Sequence, residues 1–238
     1  MADFRRFFVK NVSAEFFIEG EEFYHAVNVL RIKEGENVIV LDNSGEEYFS
    51  VVKKIKKKNL LVEVLSHSPS QNEAKHDVLL IAGYLKGDKT ELVVQKAVEL
   101  GVKEIVVFSS EFSSAYMNEN KLLRLNKVSQ ESAKQCGRAI APKVLYAENF
   151  KKALDCAKEY KHKIFACEFA KENKVDFSAL SGNVALVVGS EGGFSEKESQ
   201  LAENEGFSTC HLGKRILRAD TASILLTGLI MHHLGELD

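Results

Sequence analysis

The sequence predicts an α/β protein built from two parts, a β-rich N-terminal segment and a larger C-terminal domain with a mostly parallel sheet. Two observations carry this prediction. Short apolar runs separated by turn residues fill the chain as far as Leu65, a pattern typical of a small barrel or sandwich. After His76, apolar runs alternate with segments of helical periodicity, which favours βα units and a parallel sheet.

The N-terminal part contains three predicted strands and a polar segment that follows them. The strands are predicted at residues 38–41, 48–52 and 60–65. The turn cluster at 42–45 separates the first two, because Asp, Asn, Ser and Gly favour turns. Residues 66–73 are polar and hold one of only two prolines, so we interpret them as a linker. We therefore predict two domains, residues 1–70 and residues 71–238.

The C-terminal part contains the alternating strands and helices. Strands are predicted at residues 78–82, 104–108, 163–167, 184–188 and 208–212. Helices are predicted at residues 90–100, 119–136, 150–160 and 220–234. The run at 184–188 is wholly apolar, as expected for a strand that is buried on both faces. Ser195 and Glu198 have the spacing of a capping box for one further helix, and Asp220 is a candidate cap for the last one.

Composition limits the class of protein. The 238 residues carry a net charge of −2, with 45% hydrophobic and 28% charged residues, which fits a folded domain better than a protein that coats nucleic acid. No apolar run is long enough for a membrane helix, and the N-terminus lacks the apolar core of a secretory signal. The four cysteines are scattered without metal-ligand spacing, so we expect a reduced, cytoplasmic protein with no metal site.

The basic run at residues 53–58 has two interpretations. It could form a local basic face that contacts nucleic acid. It could instead be the solvated tip of a hairpin, because strand character resumes at Leu60. The final predicted helix is also ambiguous, since it is apolar almost all round and could be buried in a subunit interface or in the core of one chain.

Two glycine-bearing turns are the strongest functional signal in the chain. The first glycine turn (residues 188–195, VGSEGGFS) and the second glycine turn (residues 212–222, LGKRILRADTA) each follow an apolar run and lead into a predicted helix. Glycine lets backbone amides approach a ligand closely, because it has no Cβ. Each turn alone could be an ordinary connection, but together they predict a backbone-lined pocket for a small cofactor.

Several common site motifs do not fit these turns. The first glycine turn matches neither the GxxxxGK[ST] phosphate loop nor the GxGxxG dinucleotide fingerprint. A nucleophile elbow needs glycine two positions before the serine, where this chain has Val188. Nothing in the spacing supports a triad of Ser190, His211 and Asp220. What remains is a backbone-lined pocket with arginines close by.

The two turns closely resemble the GPEGGFS and LGxRILRxETA motifs of the RsmE family, the bacterial small-subunit (16S) rRNA uridine-N3 methyltransferases of the SPOUT superfamily. The likeness covers nearly the whole chain. Further ordered matches are RRFF at 5–8, HAVNVLR at 25–31, QKAVELGV at 95–102 and QCGR at 135–138 ahead of Pro142. The chain departs from the motifs where Ser190 replaces proline and where Ala219-Asp220 replaces Thr-Glu.

The resemblance implies a fold and a cofactor. It implies an N-terminal PUA-like β-barrel that binds RNA, a C-terminal SPOUT domain with a deep trefoil knot, and a homodimer. S-adenosylmethionine would bind within the knot. By position, the implied cofactor-binding residues are Cys167, Glu168, Val188, Gly189, Ser190, Glu191, Gly192, Gly193, Leu212, Gly213, Arg215, Ile216 and Leu217.

The resemblance also implies methylation of N3 of a uridine in 16S rRNA. Loss of the imide proton places negative charge on the uracil carbonyl oxygens, which a guanidinium would stabilise. Arg218 is the first candidate for this role and Arg138 the second. Arg218 could instead form a structural salt bridge with Asp220 or Glu191. The candidate contacts to RNA phosphates are Arg5, Arg6 and Arg31.

Two other functions stay open on the sequence alone. A catalytically silent RNA-binding or ribosome-assembly factor would bind RNA without binding the cofactor. A knotted methyltransferase that acts on ribose 2′-hydroxyl groups would bind the cofactor and give a different product. Cofactor calorimetry and nucleoside analysis separate these functions from the one that the resemblance implies.

Overall fold

The computed structural model describes residues 4–113, 116–167 and 174–237. The chain divides into two compact units, one formed by residues 1–73 with 130–141 and the other by residues 74–129 with 142–238. Across the described ranges, no helix combines the length and apolar character needed to span a membrane. The same ranges contain no group of His, Cys, Asp or Glu placed to hold a metal ion.

The first unit is built on a five-stranded sheet with the order β1-β3-β4-β5-β2. Its elements are β1 (Arg5–Phe8), β2 (Glu15–Glu19), α1 (Gly20–Tyr24), a π-helical turn (His25–Val29), β3 (Asn37–Leu41), β4 (Glu46–Ile55) and β5 (Asn59–Pro69). β1 pairs with β3 in parallel, and the other pairs are antiparallel. Alternate residues such as Phe7, Ile18 and Leu60 point inward and are buried in one core, as half-buried strands require.

The predicted linker is wrong over its first half. β5 continues to Pro69, which lies opposite Glu46 of β4. Residues 66–69 are exposed, so this end of the hairpin satisfies its backbone by pairing and needs no apolar side chains. The polar composition that suggested a linker therefore reflects a solvated antiparallel strand.

The basic run at 53–58 is the tip of the β4–β5 hairpin, which confirms the second of its two interpretations. The Lys56 amide donates to the Asn59 carbonyl at 2.9 Å and closes the turn. Lys53 forms a 2.8 Å ion pair with Glu63. The Lys56 ammonium lies 4.5 Å from the centre of the Phe17 ring, a cation–π contact.

The second unit holds a six-stranded sheet with the order β11-β9-β10-β6-β7-β8, and every pair in it is parallel. The strands are β6 (Val78–Gly83), β7 (Glu104–Phe108), β8 (Lys143–Ala147), β9 (His162–Ala166), β10 (Val184–Val188) and β11 (Ser208–Cys210). The helices are α2 (Lys89–Glu99), α3 (Glu119–Cys136), α4 (Phe150–Asp155), a 3₁₀ turn (Phe177–Ala179), α5 (Glu196–Asn204) and α6 (Ala219–His233). Residues 130–136 of α3 belong to the first unit. The predicted parallel α/β architecture is confirmed.

The central strands β6 and β10 bring the functional segments to one edge of this sheet. Both strands are buried along their whole length, and Ala82 lies opposite Val188 at their carboxyl ends. Ligands of open α/β sheets bind outside the carboxyl ends of the strands. The segments that follow β6, β9, β10 and β11 therefore define where a site is expected.

The helix starts around this edge agree only in part with the sequence. The capping box is confirmed, because the Ser195 hydroxyl accepts from the Glu198 amide and the Glu198 carboxylate accepts from the Ser195 amide. The predicted cap at Asp220 is wrong. Arg218 occupies the N-cap position with extended backbone, and Asp220 lies inside the first turn, where a carboxylate still favours the helix dipole.

Helix α6 is buried on one face against its own chain. It packs on α2, β6 and β10, and Leu226, Ile230 and Met231 have no exposed surface. This confirms that the helix contributes to the core of one chain. Leu225 on the same helix is 43% exposed.

Candidate cofactor-binding site

A pocket of about 420 Å³ opens at the carboxyl ends of β9, β10 and β11. This volume lies within the range of roughly 300–1,000 Å³ that is usual for small-molecule sites. The two glycine turns form most of its wall. The predicted residues that line it are Cys167, Val188, Gly189, Ser190, Glu191, Gly193, Leu212, Gly213, Arg215, Ile216, Leu217 and Arg218.

A few predicted cofactor residues fall elsewhere, and some lining residues were not predicted. Gly192 belongs to the first glycine turn but is not part of the wall, and Glu168 lies outside the described residues. Lys89, Phe194 and Lys214 also line the pocket. The last two stand inside the quoted motifs, whereas nothing near Lys89 in the sequence marks it as a pocket residue.

Hydrogen bonds and the packing of an aromatic ring hold the first glycine turn in place. The Gly193 amide donates to the Ser190 carbonyl at 3.0 Å, and the buried Ser190 hydroxyl lies 3.0 Å from the hydroxyl of Ser110. The Phe194 ring packs under the turn, so a Cβ on Gly189 would lie 2.8 Å from it. Serine in place of the family's proline is therefore accommodated by a side-chain hydrogen bond.

Gly83 is a further requirement of this turn. A Cβ at this position would lie 2.3 Å from the backbone nitrogen of Ser190, which is closer than real Cβ contacts allow. The end of β6 and the first glycine turn therefore approach at backbone distance. The only hint in the sequence is a glycine at the end of an apolar run.

The second glycine turn offers a row of unused backbone donors. Among the described residues, none of the six amides from Leu212 to Leu217 donates a hydrogen bond to a protein acceptor. Gly213 has a φ of +82°, a conformation that glycine adopts without strain. Residues 213–216 are exposed, so their amides are free to donate to water or to a ligand with several acceptor atoms.

The two cysteines of the pocket are joined through their backbones, and the thiol of Cys210 is buried. The Cys167 amide donates to the Cys210 carbonyl at 2.9 Å, joining the ends of β9 and β11. Burial raises the pKa of the Cys210 thiol to about 11, so the thiol is neutral near pH 7. A neutral, buried thiol is not a nucleophile.

Charge is distributed unevenly around the pocket. Its described lining carries four cationic side chains, Lys89, Lys214, Arg215 and Arg218, and a single carboxylate, Glu191. Glu191 accepts from the Lys89 ammonium at 3.0 Å and from the Lys86 amide at 3.2 Å. Partial burial acts to raise the pKa of Glu191, but hydrogen bonds from Lys89 and from backbone amides outweigh it and lower this pKa.

Arg218 is exposed at the edge of the pocket. Neither Asp220 nor Glu191 forms an ion pair with it; Asp220 accepts from the Thr221 amide, and Glu191 pairs with Lys89. The structural salt bridge considered for Arg218 is therefore wrong. Within the described part of the chain, its guanidinium has no carboxylate partner.

Arg138 lies in the first unit and does not line the pocket. Its side chain is 5% exposed and donates to Glu73 through Nε at 3.0 Å and Nη2 at 2.8 Å. Glu73 also accepts from the amides of Ala139 and Ile140. The structure thus gives Arg138 an anchoring contact, and its catalytic role stays a prediction.

Replacing Arg138 with alanine should lower the free energy of unfolding by about 3 kcal/mol, because removing one partner of a buried ion pair leaves the other uncompensated. Urea unfolding of the full chain measures this change. Arg124→Ala is the control, since Arg124 pairs with Glu91 while 66% exposed and its loss should hardly matter. Equal stability of the two variants would contradict the anchoring role.

The candidate RNA-binding arginines differ in availability. Arg5 pairs with Glu36 at 2.6 Å, and Arg6 approaches Glu47 at 3.6 Å. Arg31 is exposed with a φ of +55°, an uncommon conformation for a residue other than glycine. Of the three, Arg31 is the one that presents its charge to solvent without a carboxylate in the described structure.

Comparison with known proteins identifies the family to which these two domains belong. The family model of an RNA methyltransferase domain matches residues 72–231, and that of an RNA methyltransferase PUA domain matches residues 18–65. Two relatives are named ribosomal RNA small subunit methyltransferase E. The one from Mesomycoplasma hyopneumoniae (strain 232) is 35% identical over 93% of this chain and 96% of its own length. The one from Bacillus subtilis (strain 168) is 30% identical over 91% of this chain and 90% of its own length.

A solved structure agrees with these relatives. A ribosomal RNA small subunit methyltransferase E from Neisseria gonorrhoeae, crystallised with S-adenosyl methionine, superposes with a TM-score of 0.86. It is 28% identical and covers 97% of this chain and 98% of its own. The chain therefore belongs to the ribosomal RNA small subunit methyltransferase E family, with an N-terminal PUA domain and an α/β RNA methyltransferase domain.

Proposed function

We propose that this chain transfers the methyl group of S-adenosylmethionine to N3 of a uridine in the 16S rRNA of the small ribosomal subunit, a cytoplasmic reaction. The observation that carries the proposal is the pocket formed by the two glycine turns, in a chain of this family. The gonococcal relative, crystallised with the same cofactor, supports it.

The residues of the pocket fit the cofactor. The adenine ring nitrogens and the ribose oxygens offer acceptors for the unused amides of residues 212–217. The first glycine turn presents backbone to the pocket, because Gly189 and Gly193 line it without side chains. Glu191 supplies a carboxylate for a ligand that carries a sulfonium and an ammonium group. These residues, with Cys167, would hold the cofactor.

The proposal includes a deep trefoil knot, a homodimer, an RNA-binding domain at residues 1–70 and a cofactor-binding domain at residues 71–238. The knot is proposed from the family resemblance, and the segment concerned is the one that passes from β11 through the second glycine turn into α6, which packs on β6 and β10. The 43% exposed Leu225 on α6 supports a subunit contact.

The chemistry follows from charge. When bound, the cofactor supplies an electrophilic methyl group on its sulfonium. N3 of uracil becomes a nucleophile when its proton passes to solvent water, and negative charge then spreads onto the carbonyl oxygens on either side. The Arg218 guanidinium, at the edge of the pocket without a carboxylate partner, stabilises that charge. The uridine must be unpaired or extruded, because N3 lies on the Watson–Crick edge.

The test supplies methyl-labelled S-adenosylmethionine to assembled small subunits and to naked rRNA that lack the modification. We expect label in one nucleotide, identified as N3-methyluridine by nucleoside analysis. A 2′-O-methyl nucleoside would contradict the assigned position. Absence of label together with absence of cofactor binding in calorimetry would contradict the enzyme and favour the silent RNA-binding factor.

A further inference from the structure

We propose that Glu191 and Lys89 together recognise the zwitterionic methionine end of the cofactor, with Glu191 pairing with its α-ammonium and Lys89 with its α-carboxylate. This inference rests on the proposed function, because it assigns one end of the same ligand. The family motifs mark Glu191 without giving it a partner, and no motif includes Lys89.

The balance of charge in the pocket singles out Glu191. S-adenosylmethionine carries two cations, the sulfonium and the ammonium, into a lining with four cationic side chains. Glu191 is the sole carboxylate among the described residues of that lining. An ammonium group placed at the second glycine turn would face Lys214, Arg215 and Arg218 with no carboxylate of the described lining beside it, which is unfavourable.

The spacing of the charges singles out Lys89. The ammonium and carboxylate of an α-amino acid are attached to the same carbon, so the groups that bind them must also be neighbours. Lys89 and Glu191 lie 3.0 Å apart and form the one ion pair between two described residues of the lining. The other three cations stand on the second glycine turn, and among the described residues Glu191 pairs with Lys89 alone.

The pair keeps capacity for a ligand. The Lys89 ammonium and the Lys86 amide both donate to Oε1 of Glu191, so Oε2 is not used by either bond. A lysine ammonium has three donors, and the Lys89 ammonium uses one of them in the bond to Glu191. The side chains are 37% and 30% exposed, which leaves both accessible from the pocket.

The fold places the two residues together. Glu191 follows β10 and Lys89 begins α2 after β6, and β6 and β10 are neighbouring parallel strands whose carboxyl ends lie side by side. A Cβ at Gly192 would lie 2.7 Å from the Phe112 Cβ, so the turn is packed firmly next to Glu191. The ion pair is therefore positioned before any ligand arrives, which limits the cost of binding.

Three ligands separate this role from others. S-adenosylhomocysteine keeps the amino acid and loses the sulfonium charge, and 5′-methylthioadenosine lacks the amino acid entirely. Calorimetry on the full chain should show that Glu191→Gln and Lys89→Met each weaken S-adenosylmethionine and S-adenosylhomocysteine by about tenfold, the usual effect of one charge-assisted hydrogen bond. Affinity for 5′-methylthioadenosine should stay within about twofold.

Lys86→Met is the matched control, because Lys86 contacts Glu191 through its backbone amide alone and the variant should bind all three ligands like the original chain. Equal weakening of all three ligands by Glu191→Gln and Lys89→Met would show that the pair only supports the turn, and would overturn the inference. Stronger weakening of S-adenosylmethionine than of S-adenosylhomocysteine would assign Glu191 to the sulfonium and also overturn it. Failure of the unaltered chain to bind 5′-methylthioadenosine would instead contradict the proposed adenosine pocket.

Discussion

Arg218→Ala should reduce the rate of methyl transfer by about a hundredfold or more, the usual effect of removing one group that stabilises developing negative charge. The dissociation constant of S-adenosylmethionine should change little. The guanidinium lies at the edge of the pocket without a carboxylate partner in the described structure, so its removal leaves no buried charge behind. Single-turnover transfer of labelled methyl groups to rRNA, with calorimetry beside it, measures both quantities.

Two further variants make this result specific. Arg218→Lys keeps the charge but loses the planar fork that fits a carbonyl oxygen and its neighbours, so transfer should be partly restored. Arg124→Ala removes an exposed arginine outside the pocket and should leave transfer unchanged. If Arg218→Ala transferred methyl groups at the original rate, the charge-stabilising role would be excluded.

The sequence predicts those parts of the site that depend on neighbours along the chain. The apolar run of β10, the glycines that follow it and the Ser195–Glu198 capping box all lie within one short segment. Local pattern is enough in such a segment, because strand burial, turn conformation and helix capping are decided by adjacent residues.

Contacts between distant segments could not be predicted in the same way. Lys89 reaches Glu191 and Arg138 reaches Glu73 only because the sheet topology and the loop packing bring them together. The short strands β1 and β2 were missed for a similar reason. Each depends on a partner strand far along the chain, and their few residues hold no distinctive period.

The close approach of β6 to the first glycine turn leads to the second large expected effect. In Gly83→Ala, the added Cβ would lie 2.3 Å from the Ser190 nitrogen and 2.7 Å from the Gly189 carbonyl carbon. Both are backbone atoms, and Phe194 already packs against Gly189, so the turn has little room to retreat. We expect a loss of about 1–3 kcal/mol in the free energy of unfolding, as for other overpacked sites.

The same displacement should weaken S-adenosylhomocysteine by about tenfold or more, because sites that bind through backbone tolerate little misplacement. Urea unfolding and calorimetry measure the two effects. Gly228→Ala is the matched control, since the nearest atom to its added Cβ is 4.0 Å away and alanine favours a helix interior. That variant should be at least as stable as the original chain and bind with equal affinity.

If Gly83→Ala behaved like Gly228→Ala, the first glycine turn would have to be more adaptable than its packing against β6 and Phe194 indicates. The glycine at position 83 would then reflect the backbone conformation at the end of β6 rather than the close approach of the first glycine turn.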